Sequence, residues 1–194
     1  YFGAYDGEAW SASASLTATT GLNSRILQPG SEGHDLWVTN IFSYGDNYGV
    51  DNDQLKVGGW DDEYDSLIKF DFANMGLPGH VTSATLYLYN KAQLGGSPTG
   101  MYVEKLHTAW NESYGWHDYS LSATRIATTS APASPGWFNI DVTGAVNDWL
   151  ADPESNYGLR LRPILTNNNF NDFVSSDATG SLFDFRPHLD LFWS

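Results

Sequence analysis

Apolar and polar residues alternate one by one along much of this chain. In 65–72, DSLIKFDF, Ser66, Ile68, Phe70 and Phe72 fall on one side of an extended strand and Leu67, Lys69 and Asp71 on the other. Strand-like segments recur at 9–19, 34–42, 54–58, 64–72, 81–90, 101–108, 124–129, 136–141, 157–163, 171–176 and 188–193. Turn signals such as Pro29-Gly30, Gly58-Gly59, Pro78-Gly79 and Pro135-Gly136 separate them. Many short strands with frequent turns predict an all-β fold: an antiparallel two-sheet β-sandwich, jelly-roll-like in topology. One helix is expected at 144–151, with Thr143 as its cap and Val146, Trp149 and Leu150 on one face.

The cleanest alternation lies near the start. Trp10, Ala12, Ala14, Leu16 and Ala18 share one face of a strand, and Ser11, Ser13, Ser15, Thr17 and Thr19 share the other. The pattern suits an edge strand of its own domain, and equally a strand donated to a neighbouring subunit. In the second case small side chains lie close to the receiving core and the backbone completes the foreign sheet. Segment 20–33, with its Gly, Ser and Pro29, then reads as a connector. The expected organisation is an extended arm over 1–33 and a sandwich domain over 34–194. The chain begins at Tyr1 without a leader, as a processed chain or a piece of a longer one would.

Composition narrows the partners. Aromatic residues make up 15% of the 194 positions, enough to exclude disorder. Charged residues are only 16%, so the surface is built largely from Ser, Thr, Asn, Gly and Tyr. The net charge of −14 disfavours nucleic acid and anionic membranes, which call for clustered Lys and Arg. There is no Cys and no apolar run long enough to span a bilayer. No Gly-x-Ser-x-Gly, phosphate loop or His-Glu-x-x-His motif is present, and the five His are scattered. A non-catalytic protein is therefore expected.

Two kinds of chemistry stand against plainer readings. Calcium takes six to eight oxygen ligands from flexible loops. Asp46, Asp51 and Asp53 form one acidic cluster and Asp61 and Asp62 another, so one structural calcium is the single cofactor the loops suggest. Asp and Asn serve turns just as readily, and a third group at 167–172 invites the same choice. Sugar rings stack on exposed aromatic faces. Trp60 and Tyr64, and Tyr114 and Trp116, lie in loop-like stretches that could offer such faces. Trp37, Trp137, Trp149 and Trp193 sit in strand or helix patterns and are expected in the core. Arg160 and Arg162 alternate with Leu159 and Leu161, so both should point outward, to grip an acidic polymer or to pair with surface carboxylates.

The ordered segments NYGVDNDQLKVG (47–58), DSLIKFDF (65–72), LPGHVTSATLYLY (77–89), WNES (110–113), FNIDVTGAVNDWL (138–150), NYGLRLR (156–162) and RPHLDLFW (186–193) resemble the DNRLRE-type family of extracellular β-sandwich modules. That family includes carbohydrate-binding modules of polysaccharide lyases and repeats of cell-surface proteins. The resemblance implies a secreted or cell-surface, non-catalytic protein. Two functions fit. The leading expectation is a structural subunit that polymerises with copies of itself into a filament or surface layer, donating residues 1–20. The alternative is a carbohydrate-binding module that recognises a polysaccharide, with or without calcium.

Overall fold

A computed structural model of the chain describes residues 22–30, 33–40, 54–73, 75–116 and 120–194. The expected strand at 9–19 and the assembly residues Trp10 to Ala18 lie outside these. Eleven strands are present among the described residues: β1 (Asn23–Leu27), β2 (His34–Thr39), β3 (Leu55–Gly59), β4 (Tyr64–Lys69), β5 (Ser83–Gly95), β6 (Gly100–Leu106), β7 (Ala123–Ser130), β8 (Gly136–Asp141), β9 (Leu159–Pro163), β10 (Asn169–Phe173) and β11 (His188–Trp193). One helix, α1, spans Thr143–Ala151. Short 3₁₀ turns occupy Pro153–Ser155 and Gly180–Phe185.

All pairings are antiparallel. The order runs β1-β11-β5-β10-β3-β4-β9-β6-β7, with β2 on β4 and β8 on β5. The path folds over at the β3–β4 turn, where one pair, Gly58 and Tyr64, joins the halves. Inward residues of both halves then share one core. Leu55, Val57, Leu86, Leu88, Leu189 and Leu191 come from one half, and Ile68, Met101, Val103, Leu159 and Leu161 from the other. The result is an all-β sandwich. The fold-over is tight: a Cβ on Gly59 would lie 1.7 Å from the Asp62 carbonyl oxygen, so no side chain fits there.

Helix α1 closes one end through Ala145, Val146 and Trp149. Thr143 is not its cap. Its Oγ1 instead accepts from the Ala84 amide (2.9 Å) and donates to Asp141 Oδ1 (2.6 Å), fastening the helix to β5 and β8. Asn147 adds a two-way clamp to the Val81 backbone (2.8 and 3.0 Å).

The second layer is covered on its outer face over β2 and β4, while β7 at its edge stays largely exposed. Leu36, Val38, Leu67, Leu106 and Leu121 form a smaller core on its outer side, covered by Trp110, Tyr114 and Trp116. This is why Leu67, opposite Ile68 in the alternation, is also fully buried. The expected connector 20–33 contains β1, which pairs in register with β11 from Asn23–Trp193 to Leu27–Leu189. β5 runs five residues past its expected end because its second half pairs with β10.

Polar groups inside the sandwich are matched to one another. Asn171 donates to Asn90 Oδ1 and the Pro132 carbonyl (both 3.0 Å) and accepts from the Thr99 amide (3.1 Å). Asn169 holds the Ser97 carbonyl at 2.9 Å. The Asn-rich segment thus clamps the β5–β6 and β7–β8 loops. Asp35 accepts from Ser175 Oγ (2.8 Å) and the Ser176 amide (2.7 Å), tying β2 to the segment after β10. Burial outweighs these bonds and pushes its pKa from 3.8 to about 6.

Two outcomes follow from these internal bonds. Asn171→Leu strands the Thr99 amide and frees both loops, and should lower unfolding stability by about 2–4 kcal/mol in urea titration. Folded Asp35 keeps its proton at pH values where the unfolded chain has lost it. Its contribution is therefore largest below the unfolded pKa and falls as pH rises toward about 6. Between pH 4 and pH 7 the parent should lose on the order of 3 kcal/mol relative to Asp35→Asn; parallel pH profiles for the two would refute this assignment.

Candidate binding face

Strand β5 alternates between core and solvent. Ala84, Leu86, Leu88 and Asn90 point inward, while Thr85, Tyr87 and Tyr89 are only part-buried on the outer face. The register places Tyr89 opposite Trp137 and Tyr87 opposite both Asn139 and His188. The outward residues of β8, β5 and β11 therefore meet in one strip. Tyr87 and His188 stack with centroids 4.7 Å apart and planes 11° from parallel. Trp137 sets its edge against His188 at 4.7 Å and Tyr89 at 5.4 Å. Phe185, from the 3₁₀ turn before β11, closes the strip 4.2 Å from Tyr89.

Trp137 remains 42% exposed, which corrects its expected place in the core. The parity of 137–141 explains the difference. Ile140 enters the core and Phe138 packs against it, leaving Trp137 and Asn139 on the other side. Burial lowers the His188 pKa below its usual value, against the nearby Asp190 (3.8 Å). The strip is an aromatic surface of steeply tilted rings, edged by Asn139, Asp141 and Asp190. Aromatic faces of this kind accept the C–H side of a ring, while the polar edge exchanges hydrogen bonds with hydroxyls.

The residues singled out from sequence fall elsewhere. Trp60 and Tyr64 do come together. Both pack edge-on against Phe170 (6.0 and 5.4 Å), and Tyr64 also meets Trp37 at 5.3 Å. Lys56 Nζ lies 4.6 Å from the Trp37 ring centre. Trp60 is 49% exposed, but Tyr64 is a supporting residue: burial and the neighbouring Asp62 carboxylate push its phenol up to about 12. Tyr114 and Trp116 are part-buried and pack onto the outer core of the second layer.

Arg160 points away from the main core, as the alternation requires, yet it is buried. Its Nε donates to Glu104 Oε2 at 2.6 Å. Arg162 Nη2 reaches Glu104 Oε1 at 3.4 Å. It also shares the Tyr102 ring with Arg125, whose guanidinium lies 3.4 Å from the ring centre. Asp65 is fully buried beside this group, and neither of its oxygens has a hydrogen-bond partner among the described residues. Burial, with Glu63 adding, pushes its carboxyl well above the usual range, while Arg160 and Arg162 oppose the shift.

Of the acidic residues proposed for calcium, Asp46, Asp51 and Asp53 lie outside the described residues. Asp61 is exposed, in a left-handed backbone conformation (φ 68°) at the β3–β4 turn. Asp62 uses one oxygen on that turn, accepting from the Trp60 amide, and the other on β2, accepting from Thr39 Oγ1 (3.1 Å). Among the described residues no group of three or more His, Asp or Glu is placed to hold a metal ion. The Asn-rich group at 167–172 serves the internal clamp.

The fold is a β-sandwich that carries a row of aromatic side chains on one sheet face. Residues 30–182 match the model of carbohydrate-binding module family 96, and the chain belongs to that family. No curated protein matches it.

The Glu104 pair gives a direct test of which arginine is structural. Arg160→Ala leaves Glu104 buried without its main partner and should cost about 3–5 kcal/mol of unfolding stability. Arg162→Ala, at a longer and more exposed contact, should cost about 1 kcal/mol or less. Equal losses in urea titrations would contradict this division.

Proposed function

We propose that this protein is a non-catalytic, extracellular carbohydrate-binding module that holds a polysaccharide chain along the strip formed by Tyr87, Tyr89, Trp137, Phe185 and His188. The observation that carries the proposal is Trp137: a large indole left 42% exposed, yet held by rings on several sides. A side chain fixed in this way loses little further freedom on binding, which favours a gain in affinity. Asp141 and Asp190 at the edge, within a chain of net charge −14, favour a neutral glycan over an acidic one. Membership of the family supports the same reading.

Self-assembly by a donated N-terminal strand was the leading expectation from sequence. It rests on residues 1–20, outside those described, and the family match favours the glycan reading over it. A calcium ion held by Asp46, Asp51 and Asp53, which lie outside the described residues, would be a further addition to the same module.

Trp137→Ala tests the strip. Removing one well-held aromatic contact should weaken polysaccharide binding by about 10- to 100-fold. The melting temperature should barely move, because the indole contributes little to the core. Trp60→Ala should bind like the parent. Affinity electrophoresis against neutral and acidic polysaccharides reads all three, and undiminished binding by Trp137→Ala would remove the strip from consideration.

A further inference from the structure

Strand β5 carries β11 on one side and β8 on the other, and β1 lies beyond β11. β1 and β8 are therefore opposite edges of that layer. In the second layer β7 is the edge strand beyond β6. Its Thr124 and Ile126 line one cleft with Asp141 and Val142, where β8 ends and α1 begins. Thus β7 stands on the β8 side of the sandwich and β1 on the far side. Among the described residues four strands have a single partner, β1, β2, β7 and β8, and β7 is the longest of them at eight residues. It is largely exposed, and its sequence ATRIATTS holds one charge, Arg125, and no Pro. A long edge rich in β-branched residues and poor in charge is a template for another strand. A register shift in the pairing with β6 leaves Ile126 36% exposed. Ala127 of β7 and Phe138 of β8 are only part-buried where they pack on the main core.

Charge and chain length point to one occupant. With 23 acidic residues and a net charge of −14, copies of this protein repel one another over most of their surface. Residues 119–140, which contain β7, hold no Asp or Glu. Residues 9–31 hold none either, and they contain the alternating run from Trp10 to Thr19. That run lies outside the described residues, but its attachment point, β1 at Asn23, does not. Four steps of extended chain from Thr19 to Asn23 reach at most about 14 Å. Three strand spacings separate β1 from β8, about 14 Å, and the second layer lies about 10 Å further off. The straight line between them passes through the packed core. The run therefore cannot lie along β7 of its own chain, whereas a neighbour can bring its β7 to the β1 side.

We propose that the free edge of β7 is an assembly surface, and that its partner is residues 10–19 of a second copy of this chain. The added strand completes the sheet through backbone hydrogen bonds. Its small apolar set, Ala12, Ala14, Leu16 and Ala18, turns toward Ala127, and its Ser and Thr face outward beside Thr128. Donor and acceptor lie on opposite sides of the sandwich, so the contact is heterologous and continues head to tail from copy to copy. The proposal is independent of the glycan reading and holds with or without it.

The chain has no Cys, so single substitutions can report the pairing. Ser11→Cys, Ser13→Cys, Ser15→Cys and Thr17→Cys are each mixed with Thr128→Cys carried on a separate copy, under mild oxidation. At least one mixture should yield a cross-linked dimer of the two different copies. Sedimentation of the parent should show a concentration-dependent series of oligomers. Ile126→Lys on the edge and Leu16→Asp on the run should each weaken that association at least tenfold, with the melting temperature unchanged. The proposal is overturned if the parent is a monomer at every concentration, or if both variants assemble as the parent does. It is also overturned if Thr128→Cys captures none of the four partners. Closure of Thr17→Cys onto Ser24→Cys within one doubly substituted chain would overturn it too, because the run would then cover β1 of its own copy.

Discussion

The alternation of β5 is the constraint on which the rest depends. Its first half pairs with β11, its second half with β10, and β8 pairs with it from Thr85 to Asn90. Leu86 and Leu88 enter the shared core while Tyr87 and Tyr89 face out. A slip of one residue would put two tyrosines into the core and two leucines on the outer face. Core and aromatic strip are therefore two consequences of a single register. The inward-facing Asn90 pins that register, because only in place does it meet Asn171.

The two layers solve burial differently. The β5 layer has one apolar face and one solvent face, so its outer side is free to carry recognition groups. The β4 layer is covered on its outer side around β4, so the polar groups buried there must be satisfied within the protein. Glu104, Arg160 and Arg162 do this by pairing with one another. Asp65 does not, and burial shifts it toward its neutral form. A charge cluster that looks like a ligand site in one dimension is thus a structural knot, whereas aromatic residues that look like core are surface.

The strands were legible because their periodicity is local. Ten of the eleven strands observed overlap an expected segment; β1 escaped notice because the Gly and Pro around it read as a connector. The helix was legible for the same reason, although Thr143 went to β5 rather than to its cap. The aromatic strip was present in the same parity that predicted the strands. In LYLYN and WFNID the aromatic residues alternate with core positions, and hydrophobicity taken without parity put Trp137 in the interior. The fate of Arg160 was not legible, since its partner Glu104 lies 56 positions away on another strand.

The sequence by itself determined the class of fold, most strand positions and the separation of inward from outward residues. Each of these depends on neighbours a few positions apart, where the covalent geometry of an extended chain sets the spacing. Tertiary structure alone decided which outward faces stayed open. A strand carries no record of what covers its far side. The segment holding Trp110, Tyr114 and Trp116 folded over β4, and nothing comparable among the described residues folded over Trp137. Exposure was set by long-range packing.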